Sequence, residues 1–106
     1  MTDFDEITNY LKAISDPTRL KIVDLLNRHS TPLCVNAIAK KMKVTQSAIS
    51  QHLRILKQVG LVTSSRNGYN INYQLKYDKF NYFSSVLERI ISPSNANTEK
   101  CDGDCH

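Results

Sequence analysis

The sequence predicts a mainly α-helical domain that carries one β-hairpin towards its C-terminal end. Apolar residues recur at three- and four-residue steps along most of the 106 residues, one short run changes that period to two, and Asn67-Gly68 interrupts the run. Apolar content of 41% and charged content of 23% fit one small globular domain, small enough that a second copy would help to stabilise it, so a dimer is expected. No apolar run exceeds three residues, and the opening "MTDFDEITNY" is acidic where a signal peptide would be basic. The chain is therefore read as cytoplasmic, with no membrane partner.

Phe4, Ile7, Leu11 and Ile14 mark a first amphipathic helix. "DPTRLKIVDLLNRH" opens a second: Asp16 supplies an N-cap oxygen, and Pro17 stands at the first helical position, where its missing N–H costs nothing. Leu20, Val23 and Leu26 form the expected stripe of that helix. "STPLCV" breaks the pattern, and "NAIAKKM" gives one short helix before a turn at Val44. Thr45 can cap the next helix, which buries Ile49, Leu53 and Leu56 and ends at Gly60. "LVTSSR", Asn67-Gly68 and "YNINYQL" read as a hairpin with Tyr69, Ile71, Tyr73 and Leu75 on one face. A last helix carries Phe80, Phe83, Leu87, Ile90 and Ile91, a stripe wide enough to suggest burial against another subunit. Residues 1–92 are thus a folded domain, and 93–106 a flexible tail ending in Cys-x3-Cys-His.

Between Asp24 and Asp78 the chain has no acidic residue, while Arg28, Lys40, Lys41, Lys43, Arg54, Lys57, Arg66 and Lys76 all fall inside. A phosphate backbone is the common partner of such a surface, because each neutralised phosphate releases counterions. Two short helices joined by a tight turn, the second polar outside and followed by a basic-tipped hairpin, make a winged helix-turn-helix that binds double-stranded DNA. Gln46 and Gln51 carry amides suited to adenine, and the hydroxyls of Ser47 and Ser50 serve base or phosphate. Arg54, Lys57, Lys40, Lys41 and Lys43 are backbone contacts, and Arg66 beside the turn can enter the neighbouring minor groove. The acids cluster at the two ends, away from any Ser or His constellation, which argues against an enzyme.

"ISDPTRLKIVDLL", "TQSAISQHLRILKQVGLV" and "SRNGYNINYQL" together resemble the ArsR/SmtB family of winged-helix metal-sensing repressors, from about Phe4 to Ile91. The resemblance implies a homodimer paired through the first and last helices, sitting on a palindromic operator until an inducer releases it. It implies DNA contacts at Gln46, Ser47, Ser50 and Gln51. His52 is either a further contact or a packing residue between helix ends.

The inducer has to be read from the donors present. The family's arsenic and cadmium pattern is Cys-Val-Cys, whereas "LCVNA" keeps Cys34 and places Asn36 at the second thiolate position. The family's zinc and nickel pattern on the last helix needs histidines, and "DKFNYFSSVLERIIS" has only Asp78 and Glu88 to offer. Cys34, Cys101, Cys105 and His106 remain. Thiolates suit As(III), Sb(III), Zn(II) or Cd(II), and the stretch 93–100 spans at most roughly 26–29 Å, enough for the tail to reach Cys34 of either subunit. The other readings are a thiol redox switch, a regulator without a ligand, a small thiol reductase or metal carrier, or a buried Cys34 with no role beyond packing.

Overall fold

A computed structural model of the chain describes residues 3–93. These form α1 (Asp3–Ile14), α2 (Pro17–Arg28), β1 (Leu33–Cys34), α3 (Val35–Met42), α4 (Gln46–Gln58), β2 (Val62–Asn67), β3 (Asn70–Leu75) and α5 (Tyr77–Ile91). The architecture is the expected one, mainly helical with an antiparallel hairpin wing. One element was not anticipated: β1 pairs with β3, Leu33 opposite Tyr73 and Cys34 opposite Asn72, giving a three-stranded sheet of order β1-β3-β2. A two-residue strand has no periodicity for a sequence to reveal.

The helix ends follow local chemistry. Asp16 Oδ2 accepts from the backbone N–H groups of Thr18 at 2.9 Å and Arg19 at 3.0 Å, and Pro17 occupies the first turn. At the end of α4, Gly60 takes φ +92°, its N–H reaches the Lys57 carbonyl and the Leu61 N–H reaches that of Leu56. This pair of bonds caps two orphan carbonyls.

The core gathers Ile7, Tyr10 and Ala13 of α1, Ile22, Val23, Leu25 and Leu26 of α2, Ile38 of α3, all three expected residues of α4, and Phe83 and Val86 of α5. Each fully buried aliphatic side chain contributes about 1.5–3 kcal/mol. Tyr10 stands edge-on to Phe83, with ring centroids 5.3 Å apart, and its hydroxyl donates to Glu6 Oε2 at 2.8 Å. Burial first, then Glu6, push the Tyr10 phenol up to about 12.

Two expected faces are corrected. Phe4 and Leu11 of α1 and Leu20 of α2 are exposed on the single chain, and Tyr10 and Ala13 take inner positions of α1 instead. On α5, Phe83 and Val86 face the core, while Ile90 and Ile91 are exposed on the single chain. Helical period marks an apolar face without saying whether the same chain covers it. The hairpin turn is displaced by one residue. Asn67 pairs with Asn70, so Gly68 and Tyr69 form the loop, with positive φ (+68°) on Gly68 as a type II′ turn requires. Tyr69 consequently leaves the strand face and stands at the tip, and Ile71 is exposed near it. The buried pair Val62 and Leu75 at the base fixes this register. The stretch 93–106 lies outside the described residues beyond Pro93.

Candidate nucleic-acid interface

The helix-turn-helix is set by one unusual residue. Lys43 adopts φ 58°, ψ 43°, the left-handed conformation, and its N–H bonds to Lys40 O at 3.3 Å while that of Val44 bonds to Ala39 O at 3.1 Å. The chain thereby leaves α3 and enters α4 within three residues, and Thr45 Oγ1 caps the second helix by accepting from Ala48 N–H at 3.2 Å. Ile49, Leu53 and Leu56 are wholly buried, so helical geometry turns the residues between them outward.

Ser47, Ser50, Gln51 and Arg54 line a shallow polar recess of about 360 Å³ on that outer face, all four exposed. Gln46 is exposed at the head of α4, where its Nε2 donates to Asn36 Oδ1 at 3.0 Å. Lys57 Nζ donates to Ser64 Oγ at 2.7 Å, joining the far end of α4 to the base of the wing. Lys40, Lys41, Lys43 and Arg66 are exposed.

His52 faces inward instead. It is half-buried, its Nδ1 lies 3.2 Å from Arg19 Nη1, and Asp16 Oδ2 is 4.0 Å away. Arginine carries only donors, so Nδ1 accepts and the ring proton sits on Nε2. Arg19 Nε also donates to the Ala13 carbonyl, and one guanidinium thus joins α1, α2 and α4. The Arg19 backbone N–H, aided by the charge of the Arg19 guanidinium, holds the Asp16 carboxyl below its ordinary value.

Of the thiol and imidazole donors, Cys34 is half-buried on β1 and precedes α3 without capping it through its side chain. Among the described residues no three His, Cys, Asp or Glu side chains group as a metal site. Cys101, Cys105 and His106 lie outside the described residues. Sequence reasoning weighed Asn36 only as a missing thiolate and placed Tyr69 on the strand face, so both polar and aromatic neighbours of the reading surface were missed. The length of the α3–α4 turn was the available signal for Asn36.

A family model described as bacterial regulatory protein, arsR family, matches residues 16–64, from the Asp16 cap through α4 to the middle of β2. The arsenical resistance operon repressor of Staphylococcus xylosus is 33% identical over 87 residues, covering 82% of each chain. The chain belongs to the ArsR family. Among solved structures, an ArsR-like transcriptional regulator from Rhodococcus sp. RHA1 superposes with TM-score 0.70 at 31% identity, over 82% of this chain and 80% of that one. The homodimeric winged helix-turn-helix DNA-binding domain of a possible ArsR-family regulator from Mycobacterium bovis superposes with TM-score 0.68 at 26% identity, over 91% and 96%. This ArsR/SmtB-family member is a DNA-binding transcriptional repressor and not an enzyme. No helix among its described residues is long and apolar enough to cross a membrane.

Proposed function

We propose that the protein is a cytoplasmic homodimer that occupies a palindromic operator, with α4 of each subunit in a major groove and half-sites about 34–36 Å apart. The observation carrying this is the recess on α4, where Ser47, Ser50, Gln51 and Arg54 converge on an acid-free face. Gln46 and Gln51 read adenine edges, and the serines meet bases or phosphates. Lys40, Lys41, Lys43, Arg54 and Lys57 hold the backbone, and Arg66 enters the minor groove beside each half-site. His52 serves through Arg19, by fixing where α4 sits. The exposed Phe4, Leu11, Leu20, Ile90 and Ile91 supply an apolar face for a second copy.

Release by a thiophilic inducer completes the proposal: As(III) or Sb(III) first, Zn(II) or Cd(II) next, held by Cys34 with Cys101, Cys105 and His106. Support comes from donor chemistry and from the arsenical resistance named for the Staphylococcus xylosus relative. Cys34 is also well placed to transmit a pull. It ends the strand paired with β3 of the wing and begins the helix whose Asn36 holds Gln46. A redox reading keeps a place because Cys34 is a free, half-buried thiol.

Mobility-shift titration of the chain with As(III), Sb(III), Cd(II), Zn(II) and an oxidant tests binding and release together. Log affinity is expected to fall linearly with log salt before any inducer is added. Cys34→Ser should hold the operator at inducer concentrations that release the wild type. Release at the same concentration would show that Cys34 has no part in it.

A further inference from the structure

The register of the hairpin leaves one large side chain without a structural role. Val62 pairs with Leu75 at the buried base, the strands run on to Asn67 and Asn70, and Gly68 and Tyr69 are left as the loop. In such a turn the glycine supplies the positive φ, and the second residue needs no particular side chain. Tyr69 is 102% exposed, so its ring contributes no burial to the fold. The one aromatic pair among the described residues is Tyr10 with Phe83, between α1 and α5. A wholly hydrated aromatic ring is apolar surface that association can cover.

The surroundings identify what covers it. Arg66, Asn67 and Asn70 flank the ring, and the acid-free stretch of the chain runs past it in both directions. The Lys57 to Ser64 hydrogen bond ties the wing base to the end of α4. From Ser64 to Tyr69 the hairpin carries the tip about 16 Å further. Along a duplex, the minor groove lies half a helical turn, about 17 Å, from the centre of the major groove.

Resting on the reading of α4 as a major-groove helix, we infer that Tyr69 is an apolar minor-groove probe, its ring laid against the deoxyribose walls beside each half-site. The ring makes no hydrogen-bonded reading of base edges, so its preference comes from groove width and from how readily the flanking step opens. A neutral ring releases no counterions. Tyr69 therefore adds affinity that salt does not remove, whereas Arg66 adds affinity that salt does remove.

Sequences recovered from a random duplex library by the wild-type chain, Tyr69→Phe and Tyr69→Asn test this. Tyr69→Phe is expected to recover the same core and the same flanks. Tyr69→Asn suits the turn and touches no buried residue. It is expected to recover the core without the flank preference, and to bind the wild type's best duplex about tenfold more weakly (about 1.4 kcal/mol) with an unchanged salt slope. Arg66→Ala should instead flatten that slope by about one contact. Wild-type flank preference and affinity in Tyr69→Asn overturns the inference and leaves the role of α4 standing. A wild-type chain that recovers no sequence overturns both.

Discussion

Asp16 accepts two backbone N–H groups and lies near the Arg19 guanidinium, which is why its carboxyl stays ionised to lower pH than an ordinary one. The sign of the effect follows from linkage. A folded-state value below the unfolded one, near 3.8, gives stability that is present above that pH and lost as pH falls through the folded value. Asp16→Asn keeps a good cap that cannot titrate. Thermal melts at descending pH should therefore show a steeper acid loss in the wild type than in this variant. Parallel curves would mean that Asp16 contributes nothing to the acid limb. His52→Ala removes the acceptor of Arg19 Nη1 and is expected to cost about 1 kcal/mol in urea unfolding. Operator preference at the bases proposed for Gln46 and Ser47 should weaken with it, because Arg19 then no longer fixes α4.

At the scale of elements, two left-handed residues end the two helices of the DNA-reading unit, and they differ in kind. Gly60 suits its φ of +92°, and a Cβ there would meet nothing within 4 Å. Gly60→Ala therefore carries only the backbone penalty, about 1–2 kcal/mol of lost stability by urea titration. Lys43 adopts φ 58° despite its side chain. Lys43→Gly should raise stability by about 0.5–1 kcal/mol, seen as a higher urea midpoint at unchanged slope, and the salt dependence of DNA binding should fall by about one contact. A cation kept in a strained turn is a sign that its charge is used. These ends were legible because caps are local: Asp16-Pro17, Thr45 and Gly60 declare themselves within three residues. The wing turn was not, since Asn67-Gly68 and Gly68-Tyr69 both satisfy hairpin chemistry, and only the buried Val62 and Leu75 pair chooses between them.

For the whole molecule, the exposed apolar side chains of α1, α2 and α5 are the counterpart of the missing inner positions. Periodicity detected the faces of α1 and α5 and could not divide them between the chain's own core and a second copy. Phe4→Ser combined with Ile91→Ser is expected to shift the protein towards monomer in sedimentation and to weaken binding to a palindrome far more than to a single half-site, because neither residue is buried in the single chain. A dimer unaffected by both changes would place the subunit contact elsewhere. The outward residues of α4 were legible for the opposite reason. Their inward neighbours Ile49, Leu53 and Leu56 are an unbroken helical stripe that this chain covers by itself.

The contact of Arg19 with both the Ala13 carbonyl and His52 has a mechanical meaning. It fastens α1, the helix proposed to pair subunits, to α4, the helix proposed to read bases, through a single guanidinium. In a paired molecule the gap between the two reading heads is then indexed to the seam between subunits, like the jaws of a caliper locked to its beam. Any agent that shifts that seam need never approach the duplex to make the instrument misread its length.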